Sequence, residues 1–159
     1  MINIRKANFT DAYSLYACNR ALLPIYYSLD EYLYFIMFSS YKEVLIAEES
    51  NNICGYILGE HNGEYMHVLS FGVYPEYRRK GVGRKLMDEI VKLAKTNNDI
   101  ESISLNVHVE NIVGITFYES YGFKRVETLP NYYRGSLNSE SQDAYRLEYT
   151  FKKDDKSGD

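Results

Sequence analysis

The chain has 159 residues, with 18 Lys and Arg against 22 Asp and Glu and a formal net charge of −4 at pH 7. That length suits one domain with a sizeable core, and the acidic balance speaks against nucleic acid or an anionic membrane as main partner, since both attract basic proteins. Two cysteines, Cys18 and Cys54, show neither metal-ligand spacing nor a disulfide framework. Together with the lack of a signal-peptide core or a long apolar run, this predicts a cytoplasmic protein without a metal.

In chain order, residues 2–5 read as a first strand. Thr10 or Asp11 can cap a helix carrying Ala12, Leu15, Tyr16, Leu22 and Leu23, interrupted by polar Asn19 and closed by Pro24. A second helix over residues 29–38, capped by Ser28 or Asp30, is apolar on nearly every side, which predicts a buried or groove-lining element. Residues 44–47 and 53–58 are strands joined across Ser50-Asn51-Asn52, and His61-Asn62-Gly63-Glu64 is a hairpin signal leading to a third strand, 65–73.

From Val82 the apolar positions Leu86, Met87, Ile90, Val91, Leu93 and Ala94 repeat at helical spacing, with charges on the opposite face. Residues 102–109 alternate strictly, placing Ser102, Ser104, Asn106 and His108 on a face that should border something polar. Asn111 can cap a helix ending at Gly122. Residues 123–128 and 144–151 form the last strands, and residues 152–159 read as a charged, frayed tail after a domain spanning 1–151. Seventeen Tyr and no Trp suggest half-buried rings or a tyrosine-lined groove.

The segment Arg78-Arg79-Lys80-Gly81-Val82-Gly83-Arg84 joins the third strand to the most regular helix. Cations and glycines ahead of a helix start make a phosphate cradle: glycine lets the backbone approach closely, and the first helical turn offers unpaired N–H groups. A Walker loop requires Gly-Lys-Ser/Thr where Gly83-Arg84-Lys85 stands, and a dinucleotide fingerprint requires a third glycine where Leu86 stands.

The spacing Arg78-x-x-Gly81-x-Gly83 resembles instead the acetyl-CoA pyrophosphate loop of the GNAT acetyltransferases. Asn111 with Phe117-Tyr118-Glu119 and Gly122-Phe123 resembles the family's second acetyl-CoA segment. Leu129-Pro130-Asn131-Tyr132-Tyr133 with Asp143-Ala144-Tyr145 is similar to the C-terminal signature of protein N-terminal acetyltransferases, the NatA, NatE and RimI types, and residues 18–27 are similar to their substrate loop.

The resemblance implies an α/β GNAT acyl-CoA N-acyltransferase fold, a mixed, mostly antiparallel sheet flanked by helices. It further implies transfer of acetyl from acetyl-CoA to the α-amino group of protein or peptide N-termini by direct attack, with neither cysteine as nucleophile. Acetyl-CoA is expected against Phe71, Gly72, Val73, the loop residues Arg78 through Arg84, Asn111 and Tyr118, with Gly72 permitting a splay that frees backbone donors. Tyr118 is expected near the sulfur.

Pro24, Ile25, Tyr27, His67, Tyr132 and Tyr133 are expected around the acceptor. An apolar residue at 25, where NatA-type enzymes carry Glu, implies a preference for Met or other apolar starts. An auxiliary subunit or the ribosome enters as a partner only through this resemblance.

His67 is the best base, because its ordinary pKa lies near working pH. Asn106 stands where relatives carry His or Glu; it can orient water but not titrate. His108 reads as structural. A lysine or small-molecule amine acetyltransferase, or a CoA-binding module without catalysis, remains open as an alternative.

Overall fold

A computed structural model describes residues 1–151; the charged tail expected at 152–159 lies outside the described residues. The elements are β1 (Asn3–Lys6), α1 (Ala12–Leu22), α2 (Leu29–Met37), β2 (Lys42–Glu49), β3 (Asn52–His61), β4 (Tyr65–Val73), α3 (Val82–Thr96), β5 (Ser102–His108), α4 (Ile112–Tyr121), β6 (Lys124–Leu129) and β7 (Ala144–Thr150). They form one seven-stranded sheet in the order β1-β2-β3-β4-β5-β7-β6. Only the β4–β5 pair is parallel, as the α3 crossover between them requires.

Both faces of the sheet centre are covered. Alternation along β2 sends Leu45 and Ala47 into the core shared with α3, α4 and Phe123, while Val44 and Ile46 pack with Leu15, Cys18 and Tyr32 of α1 and α2. Hence the central strands read as continuous apolar runs, whereas α3, apolar on one face only, carries its charges outward.

The turns follow local chemistry. Ser50 and Asn51 take left-handed φ of 51° and 67° to close the β2–β3 hairpin, and Gly63 does so at 103° before β4. Asp11 stands at the N-cap of α1, as expected, but its side chain makes no cap bond there; it accepts instead from Asn8 N–H, while the Asn8 side chain accepts from Thr10 N–H and caps a short 3₁₀ turn over residues 9–11. The buried Asp11 carboxylate also takes both Arg5 guanidinium nitrogens, at 2.8 and 2.9 Å, fastening β1 to α1. Ser28 caps α2 with Glu31 in a reciprocal box.

The expectation of a buried or groove-lining α2 is corrected. Only Tyr32 is buried there; Tyr34 and Phe38 are 56% and 73% exposed. Being apolar on every side, α2 can turn only one face to β2 and α1, so its other face meets solvent. No helix among the described residues is long and apolar enough to cross a membrane.

Candidate active site

The site begins with a failure of strand pairing. β4 and β5 pair only from Tyr65↔Ser102 to Val68↔Leu105. Beyond that point β4 stays with β3 as far as Val73 and β5 stays with β7 as far as His108, so the two strands part. The β3–β4 register slips by one residue at Leu69, so Leu69 is the extra residue of a bulge, and such an insertion bends its strand.

Gly72, expected to permit the splay, lies beyond the point of parting and has no left-handed φ; the bulge falls at Leu69 instead. A Cβ on it would meet Leu22 Cδ1 at 3.1 Å, so the glycine serves close packing against α1.

A cleft of about 410 Å³ occupies this parting and passes through the sheet. Phe71 and Tyr118, which belong to the α3–α4 side, line one part of it. His67, Asn106 and His108, on the sheet face away from α3, line it as well, together with Leu69 and with Leu22, Pro24, Ile25, Tyr27, Tyr132 and Tyr133. Asn111 also reaches the cleft, although its side chain caps α4 through Gly114 N–H at 3.0 Å. Thus the residues expected separately for donor and acceptor share one cavity. Gly72, Val73 and the 78–84 loop do not line it.

That loop lies at the α3 terminus. Gly81 is the N-cap with a left-handed φ of 82°, and no side chain caps the helix. Its first N–H groups therefore have no partner within the helix, and space around Gly81 Cα is open. Arg79 is also left-handed, at 62°. Arg78 differs from a free phosphate ligand, because its Nε donates to the Val73 carbonyl at 2.9 Å and ties the loop to the end of β4. A Cβ on Gly83 would sit 3.3 Å from Phe71 Cζ and 3.7 Å from Phe117 Cζ, so α3 approaches the cleft's aromatic wall closely.

His67 is half-buried, and its Nδ1 shares a 2.8 Å hydrogen bond with Ser104 Oγ. Burial lowers its pKa below the usual imidazole value; Glu60 opposes this and Arg146 adds to it. Burial likewise pushes the Tyr118 phenol well above its usual range and the Tyr133 phenol up to about 12, with Tyr132 contributing. These hydroxyls keep their protons at neutral pH.

Asn106 Oδ1 is buried without a hydrogen-bond partner. His108 lines the cleft as well as serving structure: its Nε2 bonds the Ser141 carbonyl at 2.8 Å, and its ring meets Tyr133 edge-on.

Several members of the site escaped sequence reasoning. Asn19 is fully buried: Nδ2 donates to the Ile25 carbonyl at 3.0 Å, and Oδ1 accepts from Tyr27 N–H at 2.9 Å and Tyr32 hydroxyl at 3.0 Å. The signal was present as the polar break in an apolar helix stripe. Gln142 and Asp143 hold the loop that carries Tyr132 and Tyr133. Gln142 Oε1 accepts from the N–H groups of Gly135 and Leu137, and Asp143 Oδ1 accepts from that of Asn131. Ser104 meets His67 only through the parallel pairing, which sequence does not show.

The family profile described as Acetyltransferase (GNAT) family matches residues 9–123. An N-alpha-acetyltransferase of Saccharolobus solfataricus is 31% identical over 160 aligned positions, covering 91% of this chain and 90% of that one. The N-terminal acetyltransferase A complex catalytic subunit NAA10 of Arabidopsis thaliana is 31% identical, covering 96% and 79%. Among solved structures, Ard1 from Thermoplasma volcanium superposes with a TM-score of 0.81 at 28% identity, covering 96% of this chain and 99% of that one. With its open mixed sheet, the parted β4 and β5 and the glycine-started α3, the chain belongs to the GNAT family of acetyltransferases.

Proposed function

We propose that this enzyme acetylates the α-amino group of polypeptide N-termini, with acetyl-CoA as donor. One observation carries the reading: Phe71 and Tyr118 of the α3–α4 side, Ile25, Tyr27, Tyr132 and Tyr133, and His67 all line a single cleft. The relatives named as N-alpha-acetyltransferases support the choice of amine.

The residues fit acetyl-CoA. The uncapped, glycine-started α3 suits a pyrophosphate, and Arg79, Lys80 and Arg84 are exposed beside it. Asn111 and the parted strand edge suit an amide-bearing arm. When bound, acetyl-CoA supplies the thioester carbonyl that an amine attacks. Cys18 and Cys54 are buried and line no part of the cleft, which favours direct attack over a covalent acyl-enzyme.

Within this reading, Ser104 Oγ accepts from His67 Nδ1–H, leaving Nε2 with the lone pair that takes a proton from the amine, directly or through water. A base with a lowered pKa suits an α-amine, whose neutral form costs about 1 kcal/mol at pH 7, better than lysine, for which it costs roughly 4.6 kcal/mol. Tyr118, held protonated by burial, donates a hydrogen bond where the thiol leaves. Asn106 orients the amine or its water through the unpartnered Oδ1. Ile25 forms an apolar wall for the first side chain, favouring Met and other large apolar starts.

A thiol-release assay on peptides differing only in their first residue tests this. Met- and Leu-starting peptides are expected to exceed Ser- and Ala-starting ones, with kcat/KM down about 100-fold in His67→Ala and lower in Tyr118→Phe. For the wild type, log kcat/KM should fall with slope two as pH drops below His67's lowered pKa, because base and peptide amine both protonate, and with slope one in His67→Ala. Preference for Ser starts overturns the Ile25 assignment; release with lysine side chains or small amines alone overturns the N-terminal reading.

A further inference from the structure

Outside the acceptor end of the cleft lies a second groove, of about 570 Å³, lined by Leu129, Pro130, Asn131 and Ser136 together with Ile25, Tyr132, Tyr133 and Arg134. Ile25, Tyr132 and Tyr133 line both cavities, so one wall serves two sides. Resting on the reading that the inner cleft takes a polypeptide N-terminus, we propose that the outer groove holds the acceptor chain beyond its second residue. There Arg134 selects chains with a carboxylate at the third to fifth position.

The groove's lining supports an extended chain. An extended polypeptide advances about 3.3 Å per residue and turns alternate side chains to opposite sides, and the walls shared at Ile25, Tyr132 and Tyr133 give residues following an anchored N-terminus a continuous path into this groove. Leu129, Pro130 and the tyrosine rings offer apolar contact, while Asn131 and Ser136 offer short polar groups.

Arg134 is the single charged side chain in this lining. It is exposed and makes no ion pair among the described residues, unlike Arg5, Arg125 and Arg146, which face carboxylates. A guanidinium without an ion-pair partner among the described residues, on the lining of a groove, favours a carboxylate over an amide or ammonium on a passing chain.

Its position is also held. Arg134 has a left-handed φ of 52° in a turn where its N–H donates to the Asn131 carbonyl at 3.1 Å, and Gln142 fastens the next residues from beneath. Glycine would relieve that backbone conformation, as Gly135 does beside it at 84°.

The test compares Met-starting peptides carrying one Asp, Asn or Lys at position three, four or five, in the thiol-release assay. With wild-type enzyme, Asp at one of these positions should lower KM about three- to fivefold relative to Asn, and Lys should raise it, with kcat little changed. The Asp advantage should shrink with added salt. It should vanish in Arg134→Gln, persist in Arg134→Lys and reverse in Arg134→Glu. Equal KM for Asp and Asn peptides, or an Asp advantage that survives in Arg134→Gln, overturns the assignment while leaving N-terminal acetylation intact. Failure of every peptide to release thiol overturns both readings.

Discussion

Asn106 is the residue at which this chain departs most from the acetyltransferase pattern it resembles, and the structure gives that departure an energetic signature. Its Oδ1 is buried in the cleft wall with no donor, a condition that costs about 1–3 kcal/mol when unrelieved. Groups left unsatisfied in a free enzyme commonly find their partner in the ligand. Asn106→Leu, which keeps the branched four-atom side chain without the orphan oxygen, is therefore expected to raise stability by about 1 kcal/mol, or about 2–4 °C in Tm for a domain of this size. The same change should lower kcat/KM about tenfold. Thermal unfolding and thiol release on one preparation check both; a variant less stable than the wild type would mean that Oδ1 is satisfied in the free enzyme.

At the scale of elements, the wall proposed for the acceptor depends on how α1 hands over to α2. The connecting loop carries Pro24, Ile25 and Tyr27, and Asn19 holds it from below through bonds to the Ile25 carbonyl and the Tyr27 N–H, while Tyr32 of α2 closes the set. Asn19→Ala removes the side-chain partner of the Tyr27 N–H and of the Ile25 carbonyl and one acceptor of the buried Tyr32 hydroxyl. It should destabilise by about 2–4 kcal/mol, lowering Tm by roughly 5–10 °C. Below that Tm it should raise KM for the peptide while leaving KM for acetyl-CoA near the wild-type value, because the end of the cleft proposed for the donor rests on Phe71 and Tyr118, far from this staple in the chain. Equal changes in both constants would contradict that separation.

For the molecule as a whole, the parting of β4 from β5 converts a continuous sheet into two halves that share only four paired positions at one end. Backbone groups of β4 that face the gap beyond Val68 lack the ladder partners that those at Tyr65–Val68 have. Hydrogen exchange should therefore be faster at gap-facing amides of residues 70–73 than at paired amides of residues 65–68. It should slow selectively at the former when acetyl-CoA is added. Uniform protection along β4 in the free protein would show that the gap is closed in solution.

Much of this architecture is legible in the sequence because its signals are local. The α3 stripe from Val82 to Ala94, the left-handed Ser50-Asn51 turn, the Asn111 cap and the Gly81 loop each depend on periodicity or backbone sterics within a few residues, and these determined the element order and the donor loop. The spacing of Arg78 to Arg84 raised the expectation of a phosphate cradle before any strand was placed.

What only the tertiary structure decided is non-local. The parallel register setting His67 against Ser104, the bulge at Leu69, the insertion of β7 between β5 and β6, and the exposed face of α2 arise from contacts between distant segments. Periodicity marks which residues are apolar, not which partner covers them. A cleft made by strands that fail to pair leaves no local signature: the splay was expected only through the family resemblance and at Gly72, whereas the pairing ends after Val68 and the bulge falls at Leu69.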